Sequence, residues 1–263
     1  MKKKLLVVSA ICLVSLGVSV LLFTKKSDAP APAQPGTLAE TITNAPEQNT
    51  PETPSFNKSA QSLTDPASIW FVANKHYALP ISYVPSDLTV LSGVPLRLAA
   101  SEEQMKIRKV AEANLLQLFA DAKSAGLQLE FGSGYRSASY QKVLYNGYVQ
   151  SMGQTEADKS SARPGHSEHQ TGLALDFTRV DGSCHLEACF GDLAEGKWLA
   201  ENAYKYGFML RYPEGKETIT GYMYEPWHYR YVGTELSTEL RTKQIQTLEE
   251  FFGLAAATDY LKP

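Results

Sequence analysis

The pattern of apolar and polar positions divides the chain into three stretches. After MKKK come nineteen uncharged residues, LLVVSAICLVSLGVSVLLF, ending at Thr24-Lys25-Lys26. A basic start and an apolar run about long enough to cross a ~30 Å hydrocarbon layer read as a leader over residues 1–26. An uncleaved membrane anchor is favoured, because no small-x-small cleavage site follows the run. A cleavable signal peptide is the alternative. Either reading places the rest of the chain outside the cytoplasm, anchored at its N-terminus or secreted. Residues 27–59 lose the apolar pattern and become rich in Pro, Ala, Thr, Asn, Gln and Glu, as expected of an extended spacer.

Residues 60–263 recover periodicity and form one domain. Ser101-Glu102-Glu103-Gln104 is a capping box. Behind it, Ile107, Val110, Ala111, Leu115, Leu118, Phe119 and Ala122 fall on one helical face, with Gly126 in place to stop the helix. The segment Leu127–Phe131 alternates as a half-buried strand and leads into GSGYRS. A second helix is expected up to Gly153, a strand over Leu173–Phe177 and a helix over Asp192–Tyr206. A further strand places Trp227, Tyr229 and Tyr231 opposite His228 and Arg230, and a last helix runs from about Ser237 to Phe252. Helices and strands do not alternate strictly, so the expected class is α+β, a small antiparallel sheet with helices packed around it.

A formal charge of -3 gives no electrostatic reason to expect nucleic acid. Cys184 and Cys189 form an even pair in an exported domain and suit a short-loop disulfide. The alternative is a metal-binding pair with His185.

The stretch GHSEHQTGLALDF, Gly165–Phe177, carries two His, one Glu and one Asp. A turn at Thr171-Gly172 folds His169 back toward the strand bearing Asp176, and the small Ala174 leaves room beside it. A catalytic zinc site takes three protein ligands and keeps a fourth position open. His228 of EPWH supplies the third, pointing away from the Trp227/Tyr229 face. Glu225, three residues earlier, is placed to take a proton from a zinc-bound water, made acidic by the metal, and pass it to a leaving amine.

The pattern S-x-H-x-x-G-x-A-x-D is matched by Ser167, His169, Gly172, Ala174 and Asp176. With SGYRS upstream and EPWH downstream, the chain resembles the VanY-type D-alanyl-D-alanine carboxypeptidases, zinc peptidases of the Hedgehog/DD-peptidase fold. The resemblance implies one Zn2+ per chain on His169, Asp176 and His228, with Glu225 as catalytic base. It implies that Arg136 steadies the developing oxyanion and that Gln141, Ser167 and Tyr212 line the substrate pocket. The implied substrate is the C-terminal D-Ala of peptidoglycan stem peptides, and nothing in the sequence suggests more than a monomer. An L,D-carboxypeptidase acting on tetrapeptide stems, a cross-link endopeptidase and a non-catalytic wall-binding module are the alternatives. The last should lack the base or the arginine, and both are present. Glu168 reads as solvated, His166 as a loop residue near the site, and His76 and His185 as having no role.

Overall fold

The computed structural model describes residues 56–97 and 100–262. The leader and most of the spacer lie outside the described residues. Among those described, no helix is long and apolar enough to cross a membrane. Phe56, placed in the spacer by composition, is packed: its ring stacks on Trp70 and meets the edge of Phe251.

The fold is α+β. Strands β1 (Leu88–Val90) and β2 (Lys106–Arg108) pair antiparallel. Helix α1 (Lys109–Ser124) leads to β3 (Leu129–Ser133), and α2 (Ala138–Met152) and α3 (Gln154–Ser160) follow. Then come β4 (Ala174–Arg179), α4 (Ala194–Asn202), β5 (Phe208–Leu210), α5 (Glu217–Thr220), β6 (His228–Tyr231), α6 (Thr234–Lys243) and α7 (Leu248–Phe252). The larger sheet is antiparallel throughout, in the order β3-β4-β6-β5.

Its two faces have different jobs. Phe131, Leu175, Phe177, Tyr229 and Tyr231 form a core with Ile107, Ala111, Leu115, Leu118, Phe119 and Ala122. The period-two alternation sends Ala174, Asp176, His228 and Arg230 to the opposite face, and a bulge between Phe131 and Ser133 brings Ser133 opposite Asp176. That face is also buried, so its polar groups need partners inside the protein. A second core joins Trp70 and Val72 to Leu236, Leu240, Leu248 and Phe251.

Three expectations are corrected. The capping-box bonds form, Ser101 N to Gln104 Oε1 at 3.0 Å and Gln104 N to Ser101 Oγ at 3.4 Å, but only one 3-10 turn, Glu103–Met105, stands there. The chain then enters β2, and α1 begins only at Lys109; Val110 is exposed. The helix expected over 192–206 is α4 plus a 3-10 turn, Ala203–Tyr206. The last helix is two, α6 and α7, separated where Gln244 turns left-handed (φ 56°). Gly126 and Gly153 stop α1 and α2 where the sequence places them.

Candidate metal centre and active site

Asp176 on β4 and His228 on β6 are direct cross-strand partners, and Ser133 on β3 meets Asp176 from the other side. Opposed residues share a sheet face, so the register alone brings these groups together. Asp176 Oδ1 lies 3.1 Å from His228 Nδ1, and Ser133 donates its hydroxyl to Asp176 Oδ2 at 2.6 Å.

His169 arrives from a different element, the 3-10 turn Glu168–Thr171. Gly172 closes that turn with φ 67°, where an added Cβ would stand 2.8 Å from Leu88 Cδ2 and 2.9 Å from Arg108 Cγ. Arg136 N donates to His169 O at 3.2 Å, tying the turn to the loop after β3. His169 Nδ1 donates to Gly134 O at 2.6 Å. Gly134 has no room for a side chain, since a Cβ there would lie 2.3 Å from Lys106 O. A carbonyl only accepts, so Nδ1 carries the proton and Nε2 presents a lone pair. That Nε2 is buried without a hydrogen-bond partner and lies 3.4 Å from Asp176 Oδ2.

His169, Asp176 and His228 thus offer ligand atoms all within 4.8 Å of one another, and all three residues are buried. Burial and the Arg136 guanidinium push His169 down to about 4, which keeps it neutral. Burial alone would raise Asp176, but His169, His228 and Arg136 hold it well below the usual carboxylate range. Burial opposes protonation of His228, yet Asp176 and Glu168 carry it up to about 9 when no metal is bound. Two imidazoles and an ionised carboxylate are the donor set of a catalytic zinc site, and a buried lone pair with no partner is what a ligand position requires.

Glu225 Oε2 lies 3.9 Å from His228 Nδ1. Burial drives its carboxyl up to about 7, with Asp176 adding to the effect and His228 and Arg136 opposing it. Arg136 Nη2 is 3.4 Å from Asp176 Oδ2, so the guanidinium stands at the rim of the same cluster. A cleft of about 600 Å³ opens here, and Arg136, Gln141, Ser167, Tyr212 and Glu225 line it together with the three clustered residues. Gln141 uses its NH2 group on Ser161 Oγ and Ala162 O, leaving Oε1 buried and unpartnered. Tyr212 lies beside His228, ring centroids 4.9 Å apart.

Sequence reasoning missed some of this. Glu168 is not solvated: its side chain is fully buried, and Arg211 and Arg230 hold its carboxylate well below the ordinary range despite that burial. Those arginines lie 43 and 62 residues away, so no local pattern shows the pairing. Ser133 is visible only through sheet register. His166 bonds Asn74 O at 2.7 Å and stands outside the cluster. His185, given no role, lines the cleft with Leu186, Glu187 and Ala188 on a loop closed by the Cys184–Cys189 disulfide.

A buried His-Asp-His cluster with a neighbouring carboxyl in an open cleft is the arrangement of a zinc-dependent hydrolase. Residues 104–234 match the family VanY, D-alanyl-D-alanine carboxypeptidase. A D-alanyl-D-alanine carboxypeptidase of Enterococcus faecalis is 32% identical over 253 residues, covering 92% of this chain and 85% of the relative. The structure of the LdcB LD-carboxypeptidase aligns with a TM-score of 0.67 at 44% identity, over 72% of this chain and 88% of that one. That of the D,D-pentapeptidase VanY from a VanB-type resistance cassette, in complex with Zn(II), aligns with a TM-score of 0.53 at 32% identity, over 69% and 97%. The chain belongs to the VanY family of carboxypeptidases. It is an enzyme of the zinc carboxypeptidase class, and zinc is its cofactor.

Proposed function

We propose that this carboxypeptidase removes the C-terminal D-alanine of peptidoglycan stem peptides, with His169, Asp176 and His228 as zinc ligands and Glu225 as the proton-transfer group. The observation that carries the reading is the placing of Glu225, a buried carboxyl titrating near 7, at the edge of a three-donor cluster in a cleft. When bound, zinc supplies Lewis acidity, making water a nucleophile near neutral pH and polarising the amide carbonyl. Glu225 takes the proton released as water attacks and returns it to the departing amine nitrogen. Its tuning near neutrality suits both halves of that exchange. Arg136 directs its guanidinium at the carbonyl oxygen as negative charge grows there, a contribution that is large in a cleft poor in water. Gln141, Ser167 and Tyr212 form the walls against which the terminal residues are oriented.

The substrate fits the export implied by the leader: a chain held outside the cytoplasm, by an anchor or after secretion, meets the cell wall directly. We read the working unit as a monomer, since the cleft and all eight named site residues belong to one chain.

A second reading, L,D-cleavage of tetrapeptide stems, is favoured by one observation. Identity to the LdcB LD-carboxypeptidase is 44%, against 32% to the VanY D,D-pentapeptidase. Purified chain incubated with defined penta- and tetrapeptide muropeptides, and followed by mass spectrometry, tests both. Loss of one alanine from the pentapeptide supports D,D-cleavage, and loss from the tetrapeptide supports the L,D reading. Cleavage of neither, by zinc-loaded protein, overturns the substrate assignment.

A further inference from the structure

Glu168 lies between two proposed site residues in sequence, and its carboxylate joins a fully buried network of charges behind His228. Arg211 Nε and Arg230 Nη1 both donate to the same oxygen, Oε1, each at 2.9 Å. Arg211 turns its other two nitrogens to Glu249, with Nη1 3.0 Å from Oε2 and Nη2 2.7 Å from Oε1. Asn74 Nδ2 adds a bond to Glu249 Oε1 at 2.9 Å. Arg230 spends Nη2 on Ile69 O and Phe71 O. Two carboxylates and two guanidinium groups balance in charge, and all four side chains are fully buried.

With Oε1 occupied twice, Glu168 Oε2 is left buried with no hydrogen-bond partner. His228 Nε2 is in the same condition, and the two atoms lie 3.7 Å apart. A buried acceptor and a buried ring nitrogen seldom stay unpaired, because each has lost its hydration and gained nothing in return. The opposite ring atom, Nδ1, is the one that faces Asp176 and Glu225. We propose that Glu168 is a positioning residue for the metal: its Oε2 accepts the Nε2–H of His228, fixing the tautomer and ring angle that present Nδ1 as a ligand. Arg211 and Arg230 hold the carboxylate so that only this oxygen is free. The inference rests on His228 being a ligand. Loss of zinc binding in His228→Ala tests that premise separately.

The experiment compares zinc-loaded and metal-free full chains. In Glu168→Gln the amide keeps the shape and loses the charge, and partners of this kind set metal affinity by about 10–100-fold. Competition against a chromogenic chelator should show zinc bound about 10–100-fold more weakly than by wild type. Glu249→Gln breaks the same network one link further from His228 and should lower the melting temperature while leaving zinc affinity near wild type. Equal loss of affinity in both variants would mean that Glu168 acts only through packing, and unchanged affinity in Glu168→Gln would also overturn the proposal. Should either variant fail to fold, the wild-type protein decides. With 15N-labelled histidine and bound zinc, His228 should show an Nε2–H signal shifted downfield and protected from solvent exchange. An unprotonated or rapidly exchanging Nε2 refutes the assignment.

Discussion

Asp176 and Glu225 are carboxylates that both face His228, and their surroundings drive them apart. Asp176 sits among two imidazoles, a guanidinium and a hydroxyl, and stays ionised. Glu225 is buried with fewer compensating partners and keeps its proton up to about pH 7. Environments that separate two like groups in this way suit the two roles proposed for them, ligand and proton carrier. Glu225→Gln should therefore retain zinc while hydrolysis falls by about 10²–10⁴-fold, read from metal content and product release. The same substitution changes stability in a direction set by the raised carboxyl. Such a group contributes stability that is complete below the unfolded value of 4.5 and is lost as pH climbs through about 7. Metal-free Glu225→Gln escapes that loss. Its advantage over metal-free wild type should grow to on the order of 3 kcal/mol by slightly alkaline pH and vanish in mild acid, as measured by urea unfolding. His228 carries the second consequence: raised to about 9 without metal, it must give up the Nδ1 proton to become a ligand. Calorimetry in buffers of different ionisation enthalpy, near neutral pH, should find about one proton or more released per zinc. No release would remove His228 from the ligand set.

At the scale of elements, the turn at Gly172 and the loop after β3 do the positioning. Gly172→Ala places a methyl group against Leu88 and Arg108 and forces a left-handed backbone on alanine. It should cost about 1–3 kcal/mol in a denaturant titration and weaken zinc binding, because His169 sits on the same turn. The Cys184–Cys189 loop is a separate unit on the cleft wall. It holds Cys184 and Leu186, both non-glycine, at φ 51° and 52°. Changing both cysteines to serine should leave zinc content intact and raise KM for the peptide with less effect on kcat.

Much of this was legible beforehand, for physical reasons. The clustering of His169, Asp176 and His228 could be read because strand alternation and a turn glycine are local signals. Sheet order, the bulge between Phe131 and Ser133, and the Glu168 network could not, since they depend on partners distant in the chain. The capping box misled for a related reason: its two bonds formed, but β1 offered Lys106–Arg108 a ladder that outcompeted an earlier start to α1.

For the whole molecule, the family match ends at residue 234, yet α7 lies beyond it and supplies Glu249, Leu248 and Phe251 to buried positions. A chain ending at Lys243 loses those core side chains and leaves Arg211 without its bidentate partner. Removing one member of a buried ion pair costs about 3–5 kcal/mol by itself. The truncated chain should show no cooperative melting transition, checked by calorimetry.

The pairing of Asp176 with His228 across β4 and β6 has a practical corollary. If β6 slid by a single residue, an aromatic ring would stand opposite the aspartate and the imidazole would swing to the oily side of the sheet. With Asp176 and His228 as the proposed ligands, metal uptake by a refolded sample should count molecules whose strands are in native alignment, making the stoichiometry of bound zinc a gauge of folding yield.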